Sequence, residues 1–213
     1  QKIQPSFKDK LMLRILYFVR NKLINDKTYW VLIKTYRWLS KHNIVLGSSK
    51  GQEIEDKIMP TEYFKNFCNI QVKEGLKNIK GLEALLILRK NNAKTYTEFL
   101  NSKGKNHVPM DLFPNHSFLK YPLLVKNRAR FLKLAEENRI SLGDWFLSPL
   151  HPAKVEYLSR WGFDKSLYPV ATRISSKVVN IPTDTKDINR IINFLSLNLE
   201  QIIDGLTLYK NNR

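Results

Sequence analysis

The fold is decided by residues 118–146, which read FLKYPLLVKNRARFLKLAEENRISLGDWF. Residues 118–125 form a short apolar run that is typical of a buried strand. Residues 127–138 place apolar side chains at helical spacing, and residues 140–146 are again strand-like. A strand, a helix and a second strand within 29 residues predict a compact α/β unit.

Helices are predicted on both sides of this unit. Before it, residues 71–100 repeat apolar side chains at steps of three and four, which indicates one bent helix or two consecutive helices. After it, helices are predicted over residues 152–161 and 169–179, each with a proline in its first turn. A final helix is predicted with Asp184 as its cap and a stripe formed by Ile188, Ile191, Ile192, Leu195 and Leu199.

The first fifty residues form a basic and aromatic helical section. Residues 11–20 and 29–39 lack glycine and proline and are longer than ordinary buried strands, which predicts two helices. Residues 47–51, GSSKG, mark a boundary because they cluster small and flexible residues. We therefore expect a helical insert over residues 1–50 and a small strand-helix domain over residues 51–213. The predicted fold class is α/β (α+β).

The composition is that of a folded and strongly basic chain. Its 213 residues include 36 lysines and arginines against 19 acidic residues, a formal net charge of +17. Hydrophobic residues make up 43% of the chain, which excludes the disordered and fibrous classes. Arg14 interrupts the most apolar run, so no membrane span is predicted. The single cysteine, Cys68, favours a reducing compartment, and we expect a cytoplasmic protein.

The positive charge leaves several interpretations open. Nucleic-acid binding is disfavoured, because the basic residues are spread along the chain and no recognition motif accompanies them. The first helix pair could make peripheral contact with an anionic membrane, since Arg14 and Arg37 border Trp30 and Trp38. Burial of this pair against the core or another domain is favoured, because apolar residues surround most of each helix.

Short motifs with a built-in mechanism are absent from the sequence. The histidines His42, His107, His116 and His151 have no metal-ligand spacing to one another or to Cys68, so no metal site is predicted. No glycine-rich phosphate loop or Gly-x-Ser-x-Gly turn occurs. His151 differs from the other histidines because it follows a predicted strand on a proline-bounded loop, where binding residues are often placed. A role in tying down that loop is favoured.

Five short motifs follow one another in the second part of the chain. They are QVKEGLKNIKGL at 71–82, Arg-x-x-Asn-Ala-x-x-Tyr at 89–96, YPLLV at 121–125, PLH at 149–151 and NIPT at 180–183. In this order and spacing they resemble the DegT/DnrJ/StrS-type family, PLP-dependent aminotransferases that act mostly on nucleotide-linked keto sugars. The resemblance runs from about Tyr63 to Arg213.

The resemblance implies the C-terminal part of such an enzyme, with a fold like the small domain of fold-type I aminotransferases. In the family, the lysine that forms the Schiff base with PLP lies on the large domain, upstream of every matched motif. No catalytic residue is therefore assigned here. The chain is expected to be inactive and free of PLP on its own. The implied partners are the missing large domain or a second subunit of a homo-oligomer, and a nucleotide-sugar substrate.

The chain departs from the family pattern at two places. The family's Asn-x-Arg-Met, whose Asn helps bind the cofactor phosphate of the neighbouring subunit, is replaced by residues 64–67, FKNF. Lys65 and Asn66 are the candidates for that phosphate. The family's His-Tyr pair is replaced by Trp145 and a phenylalanine, and Trp145 and His151 are the candidate substrate-side residues. These departures keep a second hypothesis open, a non-catalytic binding or scaffold module that engages an anionic surface or a protein partner.

Overall fold

The computed structural model describes residues 3–24, 28–42, 59, 61–146 and 148–205. Its internal contacts divide the chain into two units, Gln1–Gly81 and Leu82–Arg213. The predicted boundary between residues 50 and 51 lies outside the described residues and stays a prediction. Among the described residues, no helix has the length and apolar character needed to cross a membrane.

The first unit is helical where it is described. Its elements are helix α1 (Phe7–Phe18), a π-helical turn (Val19–Leu23), helix α2 (Tyr29–Lys41), a 3-10 turn (Thr61–Phe64) and helix α3 (Asn69–Lys80). Helix α1 begins at a reciprocal cap: the Ser6 hydroxyl accepts from the Asp9 amide at 3.1 Å, and the Asp9 carboxylate accepts from the Ser6 amide at 2.9 Å. Every residue of α1 and α3 is described, and none of them is buried.

The second unit packs helices around a small antiparallel sheet. Its elements are helix α4 (Leu82–Ser102), a 3-10 turn (Met110–Leu112), strand β1 (Lys120–Leu124), helix α5 (Arg128–Glu137), a 3-10 segment (Val155–Trp161), helix α6 (Pro169–Ser175), strand β2 (Val178–Pro182), helix α7 (Ile188–Leu197) and a last 3-10 turn (Leu199–Gln201). Helices with a two-stranded sheet in the described part of the chain confirm the predicted α+β class.

Isolated bridges extend the sheet at each of its two strands. Pro122 of β1 lies opposite Asn180 of β2. Gly143 bridges Asn180 on the far side of β2, with N–H···O distances of 2.8 and 3.0 Å, and Ile202 bridges Val125 beyond the end of β1. These bridges satisfy edge groups of both strands, which agrees with the burial of four of the five residues of β2.

The core of the second unit lies between the sheet and the helices α4, α5 and α7. The rings of Tyr96 and Tyr121 meet edge to face at 5.5 Å, and those of Phe131 and Phe194 do so at 5.2 Å. Aliphatic side chains of the sheet, α4 and α7 belong to the same core: Leu100, Leu123, Val179, Ile181, Ile191 and Leu195. This packing fixes the position of the loops that leave the sheet.

Some predicted elements differ from the observed ones. The helical stretch 71–100 consists of two helices that meet at Gly81, one of the two alternatives. The strand predicted at 140–146 is wrong: only Gly143 pairs, and Phe146 turns the chain away with a φ of 67°. The helix predicted over 169–179 ends at Ser175, because the β-branched residues that follow pair with β1.

Two further predictions concern how helices begin. The predicted helix at 152–161 is a 3-10 segment that begins at Val155. The last helix is confirmed, but the prediction of Asp184 as its cap is wrong, because the Asp187 carboxylate accepts from the Arg190 amide at 3.2 Å. Asp184 instead lies 3.8 Å from the guanidinium of Arg89. A cap must lie directly before the first helical turn, and Asp184 lies four residues before Ile188, where α7 begins.

Candidate functional site

Residues 143–151 form the loop that carries the two predicted substrate-side residues, Trp145 and His151. The loop leaves the sheet edge at Gly143, where a Cβ atom would lie 3.1 Å from the Cβ atom of Asn180. Three residues later, Phe146 adopts a left-handed backbone conformation, which is uncommon for a bulky side chain. Pairing with β2 is thus limited to Gly143, and the chain turns at Phe146.

Arg128 holds the first part of this loop. It is the first residue of α5, and its guanidinium donates to the carbonyl oxygens of Asp144 and Trp145, the latter at 3.0 Å. A guanidinium has five donors in a rigid plane, so one side chain can bind two successive carbonyls. The side chain of Trp145 stays 46% exposed. Arg128 therefore positions Trp145 through its backbone and leaves the indole available to a ligand.

His151 lies on the second part of the loop. Its ring centroid is 5.8 Å from that of Phe146, with the ring planes tilted by 56°. The buried hydroxyl of Ser148 donates to the carbonyl of Ala153 at 2.5 Å and accepts from the amide of Leu150 at 3.2 Å, which closes the turn around His151. The ring of His151 therefore lies beside Phe146, the residue that follows Trp145.

An aromatic pocket adjoins the loop at Leu150. Its volume is about 350 Å³, and its lining consists of Leu150, Trp161, Gly162, Phe163, Tyr168 and Ala171. The rings of Phe163 and Tyr168 are stacked at 5.3 Å. A pocket lined mainly by aromatic and aliphatic groups is suited to a flat ring or an apolar group of a ligand.

Lys65 and Asn66, the predicted phosphate contacts, lie in the first unit. The Lys65 ammonium is 3.1 Å from a carboxylate oxygen of Asp9, and the Asn66 amide donates to the carbonyl of Ile3 at 2.8 Å. Hydrogen bonds from the Ser6 amide and hydroxyl, and then from Lys65, lower the pKa of Asp9 below its usual range. A phosphate would have to compete with Asp9 for Lys65, and phosphate binding by these two residues stays a prediction.

Two of the quoted motifs bind each other, a relation that the sequence analysis did not foresee. The buried side-chain amide of Asn92 donates to the carbonyls of Thr183 and Thr185 at 2.9 and 2.8 Å. The Tyr96 hydroxyl donates to the carbonyl of Pro182 at 2.9 Å. These residues therefore have a structural role, because they hold the end of β2 against α4. The only sequence signal was that both motifs belong to the same resemblance.

Metal-ligating residues are scattered in the part of the chain that the structure describes. No group of three or more His, Cys, Asp and Glu residues there is placed to hold a metal ion. Cys68 is a buried free thiol at the start of α3, and its amide donates to the Gln71 side chain at 3.0 Å. A buried free cysteine packs as a small hydrophobic residue.

A small α+β domain with an arginine-held loop beside an aromatic pocket is the class of structure that these observations define. A model of the DegT/DnrJ/EryC1/StrS aminotransferase family matches residues 31–196. The chain belongs to this family, and the predicted resemblance is confirmed. The match begins upstream of Tyr63, where the predicted resemblance starts. A comparison with curated proteins finds no match.

The cofactor of the family, PLP, can be compared with the groups at this site. PLP needs an amine for a Schiff base, a partner for its pyridine nitrogen and donors for its phosphate. The six residues that line the aromatic pocket, all of them described, include no amine or carboxylate. Lys65 belongs to the first unit and is paired with Asp9. These residues do not fit PLP by themselves, and we assign them no step that passes through the cofactor.

Proposed function

We propose that this chain is the C-terminal small domain of a PLP-dependent aminotransferase that acts in nucleotide-sugar or polysaccharide metabolism in the cytoplasm. Family membership supports aminotransferase chemistry. The observation that carries the proposal is the 143–151 loop, which Arg128 holds in place beside a pocket without an amine. This loop and pocket bind and orient a substrate. The reactive lysine comes from a large domain or a second subunit of a homo-oligomer.

The proposal assigns a separate task to Arg128, to each of the two loop residues and to the aromatic pocket. Arg128 orients the loop, and the exposed Trp145 excludes water from the substrate. The imidazole of His151 can exchange hydrogen bonds with a sugar hydroxyl. The aromatic pocket takes a flat part of the substrate, for which a nucleobase is suitable. Bound PLP would supply the electron sink.

The test is a PLP titration of the 213-residue chain, alone and mixed with the segment encoded upstream of it. The aldimine absorbance is followed, and borohydride-trapped lysines are located by mass spectrometry. We expect a stoichiometric adduct only when both pieces are present, on a lysine of the upstream segment. A specific adduct within these 213 residues would overturn the proposal that the chain is inactive alone. No adduct in either sample favours the non-catalytic binding module.

Two lysine variants test the predicted phosphate contact in the mixed sample. Lys65→Ala should weaken PLP binding about fivefold or more if Lys65 reaches the phosphate. Lys80→Ala removes an exposed lysine of α3 and should leave PLP binding unchanged. Lys65→Ala also removes the ion pair with Asp9, so circular dichroism must show that the helices persist. Equal PLP affinities in both variants and the unmodified chain would exclude the contact.

A further inference from the structure

Helix α1 carries an exposed apolar stripe. Phe7, Leu11, Ile15 and Phe18 follow one another at steps of four, four and three residues, so they share one face of the helix. Their side chains are 46–79% exposed, with Phe7 the most exposed of the four. Apolar residues occur on all sides of α1. The fold partly covers one face of the helix and leaves the face with these four residues exposed.

Basic side chains border the stripe on both sides. At 3.6 residues per turn, Lys8 lies next to one edge, and Lys10 and Arg14 lie next to the other. All three residues are exposed or nearly so, whereas the acidic residue of the helix, Asp9, lies on the far side. Asp9 is bound there by the Ser6 cap and by Lys65. The exposed face of α1 is therefore apolar at its centre and positive at its rims.

Helix α1 lies upstream of the residues that the family model matches. The family match covers residues 31–196, and α1 ends at Phe18. The exposed stripe is therefore not explained by the packing of the matched domain.

We propose that α1 binds the interface of an anionic lipid bilayer. An exposed apolar stripe with basic rims is the pattern of helices that lie in the plane of such an interface. Phe7, Leu11, Ile15 and Phe18 enter the boundary between headgroups and acyl chains, and the cations contact anionic headgroups. The 12 residues of α1 measure about 18 Å, so the helix lies along the surface.

Charge favours a lipid surface over a second copy of this chain. In a two-fold symmetric pair each stripe would cover its own copy, and the basic rims of both helices would lie beside each other. The whole chain carries a net charge of +17, which adds to that repulsion. An anionic bilayer instead accepts both the apolar side chains and the cations.

The test is co-sedimentation of the 213-residue chain with two kinds of vesicle, phosphatidylcholine alone and phosphatidylcholine with about one third phosphatidylglycerol. We expect binding to the anionic vesicles that weakens as salt rises. Phe7→Ser with Phe18→Ser should lower the partition coefficient about tenfold or more. Lys8→Gln with Arg14→Gln should lower it by roughly ten- to thirtyfold.

Matched variants in the second unit control for general effects of hydrophobicity and charge. Leu167→Ser with Leu197→Ser removes side chains that are equally exposed, and Lys103→Gln with Lys165→Gln removes the same charge. Both control pairs should bind the anionic vesicles within about twofold of the unmodified chain. Circular dichroism checks that each variant is folded.

Three outcomes would overturn the proposal. The first is no binding of the unmodified chain to anionic vesicles at low salt. The second is an equal loss in the α1 variants and their controls, which would indicate unspecific adsorption of a basic protein. The third is a dimer in lipid-free buffer that Phe7→Ser with Phe18→Ser converts to a monomer, which would make the stripe a contact between two copies.

Discussion

Asn92 joins two segments of the second unit that are far apart in the sequence. Its side-chain amide uses both protons, one for the carbonyl of Thr183 and one for that of Thr185. The side chain is buried, so water cannot replace these bonds if the amide is removed. The strength of this connection therefore depends on the amide group rather than on the volume of the side chain.

Asn92→Ala should destabilise the second unit by about 3 kcal/mol, because two buried carbonyl groups lose their donor. Asn91→Ala is the matched control, since Asn91 is its exposed neighbour in the same helix and should change the stability by less than about 0.5 kcal/mol. Urea denaturation followed by circular dichroism measures both variants. Equal midpoints for both would contradict the structural role of Asn92.

Tyr121 makes the stability of the second unit depend on alkaline pH. Burial raises its pKa from 10.0 to about 12, and the Thr97 hydroxyl lies 2.9 Å from its own. Because the folded state has the higher pKa, it keeps its full stability below pH 10 and loses the contribution of the neutral phenol as the pH rises through 12. Burial also raises the pKa of Tyr96. The two buried phenols therefore act in the same direction.

We expect the free energy of unfolding to fall by about 2 kcal/mol between pH 10 and pH 12 through Tyr121 alone. Tyr121→Phe should reduce this fall without abolishing it, since Tyr96 still titrates. Urea denaturation at several pH values measures the slope for both proteins. An identical slope would show that Tyr121 does not carry this dependence.

At the scale of the elements, two aspartates near the start of α7 have different roles. Asp187 accepts a hydrogen bond from the Arg190 amide and so caps the helix, whereas Asp184 lies 3.8 Å from Arg89 and is partly exposed. A cap satisfies a backbone donor that nothing else reaches. The Asp184 side chain is 42% exposed, and an ion pair at that distance contributes little where water and salt screen the carboxylate.

Asp187→Ala should therefore cost about 1 kcal/mol of stability. Asp184→Ala, the matched control three residues earlier, should cost less than about 0.5 kcal/mol. Thermal denaturation of the two variants side by side tests the difference. Equal losses in the two variants would contradict the assignment of Asp187 as the cap.

At the scale of the whole molecule, the two units differ in how much apolar surface they bury. Helices α1 and α3 contain no buried residue, and each of their residues is described. The second unit has a continuous core around Tyr96, Tyr121 and Phe131. Local opening needs little free energy where few apolar contacts are lost.

Hydrogen exchange should show this difference directly. We expect the amides of α1 and α3 to exchange at least about tenfold faster than those of β1 and β2 under native conditions. Mass spectrometry of peptic peptides measures both sets of amides in one experiment. Peptides from α4, which packs in the core, supply an internal reference. Equal protection in all four elements would contradict the assignment of the core to the second unit.

The sequence predicted those elements whose signal is local. The strand at 118–125, the helix at 127–138 and the last helix depend on periodicity within one segment, and the structure has all three. The strand predicted at 140–146 failed because a strand needs a partner along its whole length, and only Gly143 reaches β2. The loop with His151 was expected directly after that strand, and nothing local indicated that Arg128 binds the carbonyls of Asp144 and Trp145.

By itself, the sequence determined the family, the α+β class and the strong positive charge, because order of motifs, periodicity and composition are properties of the chain. Tertiary structure alone decided that Asn92 binds the end of β2, that Arg128 holds Trp145, and that one apolar face of α1 stays exposed. These features depend on which distant groups meet and which lose water. The helix and strand propensities of a segment do not determine these contacts or this burial, because both are properties of the packed molecule.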